Sequence, residues 1–177
     1  MAANVAFEIL YKEYYVRVYG LCRRLLNSPT LAEDATQEAF MRAYRSFDKY
    51  DHNQPFWQWI ASIASNHCID VLRRQNKTKV LFGEEDTELN ELESADREIL
   101  AQLIDAESAG NLSAAMETLP DKYRVPLVLA YFNESSYDQI ADDLGITRSH
   151  VGVLLLRGKQ HLRKALAASD AAAGGQS

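Results

Sequence analysis

Residues 32–74 read AEDATQEAFMRAYRSFDKYDHNQPFWQWIASIASNHCIDVLRR, and their pattern decides the fold. Ala35, Ala39, Phe40, Ala43, Tyr44 and Phe47 recur at helical spacing, which predicts a helix from about Thr30 to Ser46 with one buried side. Glu33, Asp34, Gln37, Glu38, Met41 and Arg42 fall mostly on the other side. Asp48–Pro55 (DKYDHNQP) has the composition of a loop. Phe56 then opens a second helix with Trp57, Trp59, Ile60, Ile63 and Ala64, which continues through Ile69, Val71 and Leu72 to Arg73 and Arg74. The stretch passes from an acidic helix through a polar hinge to an aromatic start and a basic end. Its two ends therefore suit different partners, a protein at one and DNA at the other.

Working outward, Phe7, Leu10, Tyr11, Tyr14, Val18, Leu21, Cys22, Leu25 and Leu26 give a preceding helix its buried face. Asn27-Ser28-Pro29 ends it, because the residue before a proline is pushed out of helical geometry. Residues 1–74 thus form one helical domain. Residues 75–112 carry ten acidic and three basic side chains and read as an acidic flexible linker, with a helix expected near Asp96–Ala109. Residues 113–168 resume helical patterns: Ser113–Thr118, then Pro120–Phe132, in which Pro126 is placed to kink the helix. The fold class is all-α, two small helical domains, with residues 169–177 expected as a disordered tail.

Ser136 and Gln139 match a capping box, Gly145 suits a tight turn, and Thr147 can cap the helix that follows. Helix, glycine turn and helix are the features of a helix-turn-helix. Its second helix is read over Ile146–Ala168, with Val151, Leu155, Leu162 and Leu166 inward. Arg148, Ser149, Val153, Leu156, Arg157, Gln160 and Lys164 are then its DNA-facing candidates. Val153 and Leu156 are apolar members of that face, to be met by thymine methyls, by a protein, or by nothing.

The chain's net charge of −6 resides in the middle segment, so the acidity does not argue against nucleic acid at the two ends. Ile146–Ala168 holds five basic and no acidic residues. No apolar run approaches the roughly 20 residues a membrane crossing needs, and no signal-peptide pattern opens the chain. Cys22 and Cys68 lie in apolar helical patterns and read as buried small side chains of a cytoplasmic protein. The four histidines lack ligand spacing, so no metal and no cofactor is expected, and no nucleophile–base pair suggests an enzyme. In the first domain, Trp57 is the better exposed aromatic candidate beside the polar-to-basic helix residues Ser62, Asn66, His67, Arg73 and Arg74, while Phe56 and Trp59 read as core. The spacing of Asp34, Gln37 and Glu38 is equally consistent with a solvated face and a docking surface.

AEDATQEAF (Ala32–Phe40), the array from Phe56 to Arg74, LPDKYR (Leu119–Arg124) and SYDQIADDLGIT (Ser136–Thr147), in this order, resemble the extracytoplasmic-function (ECF) sigma factors of bacterial RNA polymerase. The resemblance implies sigma region 2 over 1–74 and sigma region 4 over 113–168. It places Asp34, Gln37 and Glu38 against the β′ clamp of core RNA polymerase, and the second domain against the β subunit. It places His52, Asn53, Trp57, Asn66, Arg73 and Arg74 at the promoter minus-ten element, with a flipped base captured by the loop. The helix-turn-helix would read the minus-thirty-five element, and an anti-sigma factor is an expected partner. Val151–Leu156 departs from the polar or basic run of many relatives, which predicts a weaker salt dependence in this domain. A stand-alone helix-turn-helix regulator and a sigma-like interaction protein without DNA binding are the alternatives.

Overall fold

The structure is a computed structural model of the 177-residue chain, and it describes residues 2–76, 81–83 and 109–174. The described residues are helical, with no strand among them. The chain divides into two compact units, residues 1–79 and 80–177.

The first unit contains α1 (Ala2–Leu26), α2 (Pro29–Arg45), a short 3-10 turn (Phe47–Lys49) and α3 (Phe56–Gln75). The break between α1 and α2 falls where Pro29 requires it: Asn27 takes a left-handed φ of 55° and the Ser28 side chain accepts the Leu31 N–H. The three helices pack pairwise. Ala32, Ala35, Ala39 and Ala43 bring α2 close to its neighbours, and Val18, Leu25, Ile60, Ile69 and Leu72 fill the space between. Both cysteines are free and fully buried in this core.

An aromatic cluster joins the loop to the bundle. Phe7 meets Phe40, Tyr44 and Phe47 edge-on, and Phe47 in turn contacts Tyr50, His52 and Trp59. Within the loop, the Tyr50 hydroxyl donates to the Gln54 carbonyl and the Asn53 N–H to Asp51 Oδ1 at 3.0 Å. The segment between α2 and α3 is therefore held by ring contacts and local turns.

The second unit contains α4 (Ala109–Glu117), α5 (Asp121–Tyr131), α6 (Tyr137–Leu144) and α7 (Arg148–Gly174), with α7 packed on each of the other three. α4 begins earlier than the sequence pattern suggests because Leu112 is already anchored in the core. The rest of the linker, including most of the helix expected near Asp96–Ala109, lies outside the described residues. α5 runs through Pro126 without a break, and the proline ring is buried. Arg124 is buried as well, its guanidinium donating to the Leu119 carbonyl at 2.9 Å and pairing with Asp121.

The α6–α7 junction follows from three side chains. Ser136 and Gln139 form the reciprocal capping box. Gly145 sits at φ 66°, a conformation that costs an L side chain, and lets the Ile146 N–H return to the Ala141 carbonyl at 3.1 Å. The Thr147 hydroxyl oxygen then accepts the His150 N–H at 3.1 Å, starting α7. Gly158 on α7 lies against α5: a Cβ there would meet Leu127 Cδ1 at 3.0 Å. At its far end α7 continues to Gly174, so residues 169–174 are helical and not the expected disordered tail. Ala171, Ala172 and Ala173, strong helix formers, account for the extension.

Candidate nucleic-acid interface

The outward face of α2 carries Glu33, Asp34 and Gln37 exposed and Glu38 half-buried. Glu38 Oε1 accepts from Arg42 Nε at 2.9 Å, and that hydrogen bond holds its carboxyl below the usual value. Beside these residues a groove of about 350 Å³ is lined by Phe7, Tyr11, Gln37, Phe40, Met41, Tyr44 and Arg45. Tyr44, which helical spacing puts on the buried side, is 51% exposed, and its hydroxyl donates to Asn4 Oδ1 at 2.9 Å. The groove between α1 and α2 keeps it outside the core.

On the other side of the loop, His52 and Asn53 are exposed, with His52 braced against Tyr50 and Phe47. Gln58, Ser62 and Asn66 are exposed at four-residue intervals along α3, followed by Asp70 and Arg73, which lie 3.9 Å apart, and by exposed Arg74. Ser62 and Asn66 of this row are expected from the sequence; the structure adds Gln58 on the same face. Phe56 is core as expected, and Trp59 is half-buried in the aromatic cluster. Trp57 is half-buried too, and the Arg17 guanidinium of α1 lies 3.7 Å from its ring centroid. Helical spacing gave no sign of this pairing, because Arg17 is one more charge on a long helix until α3 is placed beside it. His67 faces the interior, with its Nδ1 unpartnered. Burial, then the neighbouring Arg42 charge, hold its pKa below the usual imidazole value.

In the second unit, Arg148, Ser149, Gln160 and Lys164 are exposed, and Arg157 and Leu156 are half-buried. Val153 departs from expectation: it is 3% exposed and does not present an apolar face outward. Leu154 and Lys159 are buried with it. α7 is packed by α4, α5 and α6, so its buried arc is wider than the single stripe a helical-wheel reading assumes. Arg148 donates to Asp138 Oδ2 at 3.0 Å, a cross-helix pair also absent from the sequence reading.

Among the described residues no group of histidine, cysteine and carboxylate side chains is arranged to hold a metal ion, and no helix is long and apolar enough to cross a membrane.

Residues 10–78 match Sigma-70 region 2, and residues 109–162 match Sigma-70 region 4. The chain is 34% identical over 166 residues to the ECF RNA polymerase sigma factor SigW of Bacillus subtilis, covering 91% of this chain and 89% of that one. It is 32% identical to SigE of Mycolicibacterium smegmatis, covering 94% of this chain and 63% of that longer one. Among solved structures, the fold is similar to the sigma factor RpoE of Bartonella quintana, solved with the anti-sigma factor NepR, at a TM-score of 0.60 and 16% identity over 91% of this chain and 96% of that one. Two helical units with a helix-turn-helix in the second, matching both conserved sigma regions in order, settle the family: the chain is a member of the ECF sigma factors.

Proposed function

We propose that this sigma factor docks on core RNA polymerase through the α2 face of Asp34, Gln37 and Glu38, toward the β′ clamp. It opens the promoter minus-ten element with His52, Asn53, Trp57, Asn66, Arg73 and Arg74. The second unit takes duplex DNA at the minus-thirty-five element through Arg148, Ser149, Arg157, Gln160 and Lys164, beside the β subunit. The division of labour is region 2 over residues 1–74, an acidic connection over 75–112, and region 4 from about 113. The protein works in the cytoplasm and performs no covalent chemistry; polymerase makes the RNA. The observation that carries this reading is the arrangement of the first unit. A largely apolar, aromatic-lined groove flanks the acidic face of α2, while a braced loop precedes the exposed row Gln58, Ser62 and Asn66 of α3. Separate faces of one small bundle thus offer a protein contact and a row of base-edge donors and acceptors.

An anti-sigma factor is a proposed further partner, on the precedent of the RpoE–NepR complex. Run-off transcription with purified core polymerase on genomic promoter fragments tests the whole reading. Specific transcripts dependent on the protein are expected; tight core binding without any specific transcript would sink it. That outcome belongs to a second reading, a sigma-like interaction protein with weakened DNA binding, favoured by the burial of Val153, Leu154 and Lys159 on the helix that should read DNA.

A further inference from the structure

Cys22 on α1 and Cys68 on α3 meet inside the first unit. Both are free, and both are 0% exposed. Their thiols are hydrogen-bonded to each other, and the Thr36 side chain of α2 joins Cys22 from the third helix. Thr36 is 0% exposed as well, and its hydroxyl donates to the Ala32 carbonyl at 2.6 Å.

Packing alone does not call for this arrangement. A buried cysteine behaves as a small apolar side chain, and either position taken singly reads that way. Set sulphur against sulphur from different helices, the chain's two cysteines become a pair able to bond covalently to each other. Their contact also divides their acidity. The hydrogen bond from Cys68 holds the Cys22 thiol below its usual value, while the same bond, then burial, pushes Cys68 well above its own. Cys68 is thus the S–H donor, and Cys22 is the sulphur that reacts first as a thiolate.

We propose that Cys22 and Cys68 form a redox modification site, at which a hydroperoxide oxidises the two thiols to an intramolecular disulfide that staples α1 to α3. The Cys22 sulphur attacks one peroxide oxygen and the O–O bond breaks. A sulfenic acid forms, and the departing oxygen leaves as water with the Cys22 proton. The Cys68 sulphur then attacks the Cys22 sulphur, the S–O bond breaks, and a second water leaves with the Cys68 proton. Each sulphur gives up one electron, and the peroxide takes both.

Burial decides the product. Neither sulphur meets solvent in the closed unit, so peroxide enters when α1 and α3 part locally. On closing, the sulfenic acid is sealed beside Cys68 and away from further peroxide, which favours the disulfide over sulfinic acid. The new bond closes a ring that contains α2 and the loop after it, so the unfolded chain loses freedom that the folded one never uses. A dithiol reductant reopens it by exchange. In a reducing compartment the resting form is the dithiol, and an oxidant is what closes it. The site lies in the core and uses none of the side chains assigned above to polymerase or DNA.

The test treats the full chain with hydrogen peroxide in native buffer, blocks the remaining thiols with iodoacetamide in urea, and maps peptides without reduction. The Cys22 and Cys68 peptides should be joined within a monomer, and each should be blocked separately after dithiothreitol. The urea midpoint of the oxidised chain should exceed that of the reduced chain and return to it on reduction. Low urea, short of the unfolding transition, should speed cross-linking, because access depends on opening. Cys22→Ser should show neither the link nor the midpoint shift, and Cys68→Ser should carry a Cys22 sulfenic acid that dimedone traps. Both thiols still blocked after peroxide, links between chains only, or sulfinic acid in place of the link would each overturn the site. A link found only above the unfolding transition would overturn it too, since the pairing would belong to the unfolded chain. The peptide map and the midpoint are read on the wild type, so the outcome does not hang on either serine variant folding.

Discussion

Arg148, the first residue of α7, donates to Asp138 of α6 at 3.0 Å across the helix-turn-helix, and the same guanidinium lies 5.8 Å from the Tyr137 ring. The basic residue nearest the start of the reading helix is thus partly occupied by an acid within its own unit. Both side chains are exposed, so the pair adds little to stability. Asp138→Asn is expected to leave the melting temperature nearly unchanged. It should steepen the salt dependence of duplex binding by about one unit of slope, because Arg148 can then neutralise a phosphate. Fluorescence anisotropy on duplex DNA measures this, and an unchanged slope would show that Arg148 does not reach the backbone.

The two faces of the first unit should separate genetically. Asn66→Ala is expected to impair promoter opening, read by permanganate reactivity of unpaired thymines, while core affinity stays at the wild-type value. Gln37→Ala with Glu38→Ala should do the reverse, weakening core binding about tenfold, the effect of losing contacts worth near 1.4 kcal/mol. Equal core affinity for the double variant and the parent would refute the clamp assignment.

Two glycines of α7 should respond to alanine with opposite signs. At Gly152 the nearest heavy atom to a new Cβ is Tyr137 Cε2 at 4.0 Å, so Gly152→Ala gains helix propensity and should stabilise by about 0.5–1 kcal/mol. At Gly158 the Cβ would meet Leu127 Cδ1 at 3.0 Å and Tyr123 Cβ at 3.3 Å. Leu127 is 1% exposed and has nowhere to move, so Gly158→Ala should destabilise by about 1–2 kcal/mol despite the propensity gain. Urea unfolding of the full chain measures both, and a stabilised Gly158→Ala would contradict the packing described for α5 and α7.

His67 should make the first unit sensitive to mild acid. Its pKa is lowered in the folded state, so between the folded and unfolded values the unfolded chain binds more protons. Stability from this residue is therefore complete above the usual imidazole value of 6.5 and is lost as pH falls below it toward the folded pKa. A His67→Gln variant should show a flatter stability–pH curve in that window. The charged and titratable groups around His67 are Arg42 and Glu38 on α2 and Asp70 and Arg74 on α3. Identical slopes in variant and parent would assign the pH response to those neighbours instead.

Much of this architecture is legible locally. Pro29 and the capping box at Ser136 and Gln139 each act within a few residues, and the helices begin where they direct. Gly145 is likewise readable, because a turn between two amphipathic segments needs its positive φ. What escapes local reading depends on how many neighbours a helix has. Val153 lies far round the helix from Val151, yet α7 is flanked by three helices and both are buried. Arg17 and Trp57 are forty positions apart, and only the packing of α1 on α3 makes them one feature. The tail beyond Ala168 reads as small and polar, but alanine continues a helix as readily as it ends a domain.

Phe47 is where the two halves of the opening stretch become one object. Its ring touches Phe7 at 5.3 Å on one side and Tyr50, His52 and Trp59 on the other. The loop proposed to receive DNA is thereby preorganised: its conformational entropy is surrendered when the bundle folds, not when a strand arrives. Strand capture can then draw on nearly the full strength of each contact, and a loosened ring cluster would be felt as slower opening even with every DNA-facing side chain in place.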